Sequence, residues 1–269
     1  MFGKEIVKTA GGAALAYFPN FVRTSVKEKV ELLFWKKTLR QSAGNFYNGH
    51  MQEYFTTLFG LTTDDYAGQR VLDIGCGPIG TLEWCDMACE RVGVDPLAHR
   101  YERLNKGAHK MRYVESGAEQ LPFSDGSFDI VSMFNSLDHV ENVEAAAREA
   151  QRVLRPGGSL LLIVEVGHAA TLTEPHALDN SVADLFAEDC EEIIRRELGV
   201  RADHNIYGSI TDGVPRKHPS DPGILAIRFR KRNSPRTRAD QDKAQAANQP
   251  TLSVQKGSTL PVMSCANGR

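Results

Sequence analysis

The sequence predicts an α/β protein with a mostly parallel sheet covered by helices on both faces, and three observations carry that reading. Short apolar runs alternate with helical stretches from about residue 69 onward, the pattern of strand–helix–strand units with right-handed crossovers. The first of these runs feeds directly into a glycine-rich turn, Gly75-Cys76-Gly77-Pro78-Ile79-Gly80. With 269 residues, the chain suits one good-sized domain with extensions rather than two full domains.

Taken in order, residues 24–61 space Val30, Leu33, Phe34 and Leu39, then Phe46, Met51, Tyr54, Phe55 and Phe59, as two amphipathic helices would. Residues 1–68 are therefore read as an N-terminal helical extension or lid, and 69–232 as the core domain. Within the core, 71–74, 91–94, 112–114, 130–134 and 160–164 read as strands. Residues 97–110 and 141–154 read as the helices between them. A further helix is expected at 182–198, with strand candidates at 200–207 and 224–230, so that seven strands are available. Residues 233–269 shift to Ser, Gln, Ala, Asn, Pro, Lys and Arg with little apolar periodicity, which reads as a disordered tail.

Hydrophobic residues make up 41% of the chain, charged residues 25%, and the formal net charge is −2. That balance lacks the basic footprint of a nucleic-acid binder and favours a small-molecule partner. Lys4 and Lys8 precede a short apolar stretch at 13–18 without the apolar core and cleavage site of a signal peptide, a surface membrane contact being the alternative reading, and no run is long enough to cross a membrane. The cysteines, Cys76, Cys85, Cys89, Cys190 and Cys265, form no C-x-x-C pair and fall mostly in the glycine loop or in apparent helices. They read as reduced thiols of a cytoplasmic protein. Cys85 and Cys89 lack the further ligands that a zinc site needs, and no metal is expected.

Chemistry concentrates after the first strand. Glycines at Gly75 and Gly77 allow a tight turn and let a ligand approach the backbone. Asp95, 20 residues after Gly75, ends the next strand, where a carboxylate can accept hydrogen bonds from a ribose diol. The glycine spacing alone also fits a dinucleotide fingerprint. Asp73 decides between them, because a carboxylate two positions before Gly75 opposes a pyrophosphate and suits a cofactor with an ammonium group. The bland alternative is that Asp73 only bonds the loop amides.

Three further segments follow in order: Gly117-Ala118-Glu119-Gln120-Leu121-Pro122-Phe123, Ser127-Phe128-Asp129, and Leu154-Arg155-Pro156-Gly157-Gly158. Together with Leu72-Asp73-Ile74-Gly75-Cys76-Gly77, they resemble the class I S-adenosylmethionine-dependent methyltransferases over residues 69–166. The resemblance implies a Rossmann-like seven-stranded sheet with an antiparallel edge hairpin. Its implied cofactor is S-adenosylmethionine, with Asp73, Gly75 and Gly77 at the methionine portion and Asp95 at the ribose. By the same resemblance Ala118 and Glu119 border the adenine, and Asn135 lies near the sulfonium. The chain departs from many relatives at Gly117, where an acidic residue is common, so the adenine amino group would be met by Glu119, backbone or water.

Methyl transfer asks the protein to align a nucleophile and remove its proton. His139, just past the fourth strand, suits a general base by its near-neutral pKa, with a cap or packing role at the next helix start as the alternative. His168, Glu174 and His176 follow the fifth strand, where acceptor-binding groups are expected. Asp138 and Glu165 with these histidines could hold a divalent metal, but their spacing is not diagnostic, and metal-free catalysis is the expectation. The aromatic residues Phe34, Trp35, Phe46, Tyr47, Tyr54 and Phe55 fit either a lid or core packing. The expected function is methylation of a small molecule, a sugar or secondary-metabolite hydroxyl in particular, since no Asn-Pro-Pro-Tyr segment like that of amino-group DNA methylases is present. A nicotinamide oxidoreductase and a non-catalytic S-adenosylmethionine-binding protein are the competing readings. The former lacks a Tyr-x-x-x-Lys segment.

Overall fold

The computed structural model describes residues 20–42, 46, 48–171 and 173–234. Tyr47, Cys265, the segment with Lys4 and Lys8, and nearly all of the 233–269 tail lie outside the described residues.

Seven strands form one sheet: β1 (Arg70–Ile74), β2 (Glu90–Asp95), β3 (Arg112–Glu115), β4 (Phe128–Phe134), β5 (Leu154–Val166), β6 (Cys190–Gly199) and β7 (Gly223–Lys231). Their order is β3-β2-β1-β4-β5-β7-β6. The first five run parallel, and β7 is antiparallel to both β5 and β6, which gives the expected antiparallel hairpin at one edge. The helices are α1 (Asn20–Gln41), α2 (Met51–Phe55), α3 (Ala98–Asn105), α4 (Val143–Val153) and α5 (Ile206–Thr211).

Each face of the sheet buries its own core. On one, the apolar stripe of α4 (Val143, Ala146, Ala147, Ala150, Val153) packs on Leu72, Val131, Leu160 and Leu162. Spacing of three and four residues makes that stripe, and Asn142 caps the helix by accepting from Ala145 N (2.8 Å). On the other face, Met51, Tyr54, Phe55, Phe59 and Tyr66 join Val71, Ile130, Leu161 and Ile163. Buried Tyr66 donates its hydroxyl to Phe55 O (2.6 Å), which locks this segment together. The part of the N-terminal extension from Met51 to Tyr66 thus belongs to the core. The aromatic group divides accordingly: Tyr54 and Phe55 are core residues, while Phe34, Trp35 and Phe46 form an edge-to-face trio.

Two sequence expectations are corrected. Residues 182–198 are no helix, but a 3₁₀ turn (Asn180–Phe186) followed by strand β6, and 200–207 holds no strand but leads into α5. Glu191, Glu192, Arg195, Arg196 and Glu197 are spaced like a helix face, yet they decorate an edge strand, where charge on both faces discourages further pairing. Pairing along β7, from Cys190 opposite Lys231 to Gly199 opposite Gly223, outweighs local helix propensity. Likewise Cys85 and Cys89 sit in successive turns between β1 and β2 rather than in a helix, and Cys190 begins β6.

Candidate cofactor and acceptor site

The chain turns away from β1 in one direction and from β4 in the other, so a crevice opens at the carboxyl ends of these adjacent strands. Asp73 stands there fully buried. Its register partner Ser132 on β4 donates Oγ to Oδ1 (2.6 Å), and Thr81 donates Oγ1 to Oδ2 (2.5 Å). The donors are hydroxyls, not loop amides. Burial pushes the Asp73 carboxyl up to about 6, with the two hydroxyls pulling the other way.

The glycine loop is pinned from beneath, since Gly75 N and Cys76 N donate to Val94 O (2.7 and 3.2 Å). Gly75 has φ +76, and a Cβ there would lie 2.3 Å from the Cβ of Ser136, whose Oγ donates to Ile74 O (2.9 Å). Only glycine meets both conditions. Asp95 closes the loop from β2: Oδ2 accepts from Gly77 N (3.2 Å) and Oδ1 from Leu97 N (2.8 Å). Each oxygen keeps a lone pair for a further donor. Burial pushes this carboxyl up to about 7 against those two bonds.

Neither Asp73 nor Asp95 has an ion-pair partner among the described residues. Beside them Asn135, in the left-handed region at φ +49, buries an Oδ1 with no hydrogen-bond partner. Two buried carboxylates and an orphaned amide oxygen near a glycine loop fit a cationic amino-acid end and a ribose, the groups that S-adenosylmethionine carries.

Ala118 is buried in the turn after β3. That turn is fixed by α4: Glu149 accepts from Leu121 N (2.7 Å), and Arg152 donates to Phe123 O (2.7 Å) and Leu121 O (3.1 Å). Glu119 Oε1 accepts from Glu141 N (2.8 Å) and Asn142 N (3.4 Å), so it braces the start of α4.

Helix α1 crosses this mouth. Trp35, whose Nε1 donates to Glu31 Oε1 (2.7 Å), lies 3.5 Å from where a Gly77 Cβ would be. Glu28 pairs with Arg100 (3.5 Å), and its neighbour Lys27 donates to His139 O. Burial lowers the Lys27 pKa, opposed by Glu141, Glu31, Glu119 and Asp138. Leu33, counted toward the apolar face expected of α1, is exposed, and the spacing did not show that the helix's polar residues reach the loop.

Beyond β4 and β5 the acceptor-side candidates converge in part. His139 Nε2 is 3.9 Å from Asp138 Oδ1, and His168 Nε2 is 4.0 Å from Asp138 Oδ2. Glu174 is buried and exchanges bonds with Thr171, its N donating to Oγ1 (3.0 Å) and its Oε2 accepting from it (3.2 Å). His176 donates Nε2 to Val140 O (2.9 Å), tying the loop after β5 to the turn after β4. Among the described residues no group of three His, Cys, Asp or Glu has metal-holding geometry. Asp138, fully buried, entered the sequence reading only within a metal set and with no role toward the acceptor; its adjacency to His139 was the one signal.

Comparison with known proteins agrees with this geometry. A family model described as "Methyltransferase domain" matches residues 72–162. Curated relatives include an uncharacterized Bacillus subtilis methyltransferase, YcgJ, 37% identical over 38% of this chain and 43% of its own length. The malonyl-[acyl-carrier protein] O-methyltransferase of Enterobacter lignolyticus is 29% identical over 44% and 55% of the two lengths. The ubiquinone/menaquinone biosynthesis C-methyltransferase UbiE of Hahella chejuensis is 37% identical over 36% and 43%. The chain spans about half the length of the curated relatives it matches. For the fold, a chain of the Haloferax volcanii complex of a methyltransferase with its activator Trm112 aligns with TM-score 0.55 at 12% identity, covering 77% of this chain and 98% of its own. Over residues 72–162, the chain is thus similar to a methyltransferase domain.

Proposed function

We propose that the chain transfers a methyl group from S-adenosylmethionine to a hydroxyl of a small molecule, such as a sugar or secondary metabolite. The observation that carries this reading is the pair of buried carboxylates, Asp73 and Asp95, at the carboxyl ends of β1 and β2 on either side of Gly75 and Gly77. Asp73 favours a cation and opposes a pyrophosphate, which argues against a nicotinamide cofactor.

When bound, the cofactor supplies an activated methyl group on a sulfonium. The chain's residues do the rest. Asp73 holds an ammonium, Asn135 lies near the sulfonium, Asp95 and the Gly77 backbone orient the ribose, and Ala118 and Glu119 border the base. Trp35 on α1 covers the loop and excludes water. His168, Glu174 and His176 line the acceptor side. Relatives named for O-methylation of malonyl-acyl carrier protein and for C-methylation in ubiquinone/menaquinone biosynthesis support a small acceptor. The net charge of −2 points the same way. Free thiols at Cys76, Cys85, Cys89 and Cys190 support a cytoplasmic location.

Asp95→Ala is expected to weaken S-adenosylmethionine binding by about ten- to a hundredfold, the loss of charge-assisted bonds worth roughly 1.5–3 kcal/mol. Calorimetric titration of a folded variant with unchanged affinity would remove Asp95 from the site.

A further inference from the structure

We propose that Asp138, between His139 and His168 at the carboxyl ends of β4 and β5, is the base that takes the proton of the methyl acceptor, with His168 as its positioning partner. This assignment rests on the methyltransferase reading and adds to it a residue for the chemical step.

Unsatisfied polar atoms single out the place. Seven buried side-chain nitrogen and oxygen atoms lack a hydrogen-bond partner among the described residues, and four of them are Asn135 Oδ1, Asp138 Oδ1, Asp138 Oδ2 and His168 Nε2. Buried polar atoms without partners carry a desolvation cost and are rare in folded proteins. Four gathered at one end of two adjacent strands mark a spot shaped for a donor that the chain does not itself provide.

The hydrogen bonds nearby define roles. His168 Nδ1 donates to Ala169 O (3.0 Å), so in the neutral ring the proton resides on Nδ1 and the Nε2 lone pair faces Asp138 Oδ2 at 4.0 Å. His139 faces the other oxygen at 3.9 Å, and Lys27 from α1 holds the His139 carbonyl. The groups around the Asp138 carboxyl are therefore His139 on its own turn, Lys27 on α1, Glu165 at the end of β5, and His168 and Glu174 on the loop beyond. Burial, with Glu174 and Glu165 adding to it and His168 opposing, pushes this carboxyl up to about 7, the range in which a base is effective at neutral pH.

In the step itself the acceptor's O–H bond breaks and the proton passes to an Asp138 oxygen. The oxygen's electron pair forms the new bond to the methyl carbon, and the pair of the breaking carbon–sulfur bond stays on sulfur. His168 Nε2 can then receive the proton from Asp138.

The test compares the full-length wild type, Asp138→Asn and His168→Gln. Infrared difference spectra across pH 5–9 without cofactor are expected to show a buried carboxyl band titrating near neutrality in the wild type. Asp73 and Asp95 contribute to the same band, so Asp138→Asn should remove one carboxyl's share of its amplitude, and the midpoint of that share should shift in His168→Gln. With tritiated S-adenosylmethionine and a panel of catechol, phenol and methyl glucoside, Asp138→Asn should turn over about a hundred- to ten-thousandfold more slowly, with calorimetric cofactor affinity within about twofold of wild type. If no panel member turns over, the infrared arm decides alone. A neutral-range band unchanged in Asp138→Asn, or normal turnover by that folded variant, overturns the assignment while leaving the methyltransferase reading intact. Failure of the wild type to bind S-adenosylmethionine overturns both.

Discussion

Raising the pH of the ligand-free protein from 5 to 8 is expected to lower its melting temperature by about 10 °C. Asp73, Asp95 and Asp138 have folded-state pKa values raised to about 6, 7 and 7, against about 3.9 in an unfolded chain. The folded state therefore binds more protons than the unfolded state between about pH 4 and 7, and stability falls as pH rises through that window. Below pH 4 all three are neutral in both states and their cost is absent; above pH 7 it is fully present. Each tenfold change in proton affinity between the two states corresponds to roughly 1.4 kcal/mol, so the three together amount to several kcal/mol. His50 and His109, whose pKa values burial lowers, oppose the trend below about 6.5 without cancelling it. Glu90 and Glu149 are held below the usual carboxylate range, chiefly by hydrogen bonds from Arg112 and Arg152 respectively. Scanning calorimetry at four pH values reads the effect. A melting temperature constant or rising from pH 5 to 8 would show that these carboxyls are solvated or paired.

Gly75→Ala is expected to destabilise the fold by about 2–5 kcal/mol. The left-handed conformation costs a residue with a Cβ roughly 1–2 kcal/mol, and overpacking adds roughly 1–3. The new methyl would lie 2.3 Å from the Cβ and 2.9 Å from the Oγ of Ser136. Ser136→Gly added to Gly75→Ala should recover the steric part and leave the conformational part, a coupling that a double-mutant cycle in urea measures. A Gly75→Ala variant within about 0.5 kcal/mol of wild type would mean that the turn between β1 and β2 rearranges freely.

How much was legible follows from where local pattern and tertiary context agree. In β1, β2 and β4 continuous apolar runs coincide with strands buried on both faces, and α4 carries its core stripe in its own spacing. The glycine loop was legible because its dihedral demands are written in residue type. Strand β6 was not, since an edge strand decorated with charge has the local pattern of a solvated helix and only its partner β7 decides. The turns at 81–89 in place of a helix follow similarly: Glu83 accepts from Lys110 N and Met111 N (both 2.8 Å), and Arg91 reaches Leu82 O (3.3 Å), contacts across distant sequence. The standing of Asp138 was hidden for a related reason. Burial, the property that sets it apart from an ordinary surface carboxylate, arises from α1 and from the loop after β5, neither of which announces its destination.

Isothermal titration of the full chain with S-adenosylmethionine, and separately with NAD, tests the central claim most directly. The buried Asp73 beside Gly75 and Gly77 predicts one-to-one binding of S-adenosylmethionine and no measurable heat with NAD. Binding of NAD in preference to S-adenosylmethionine would contradict the account, because a pyrophosphate would then lie against the carboxylate on which the cofactor assignment rests.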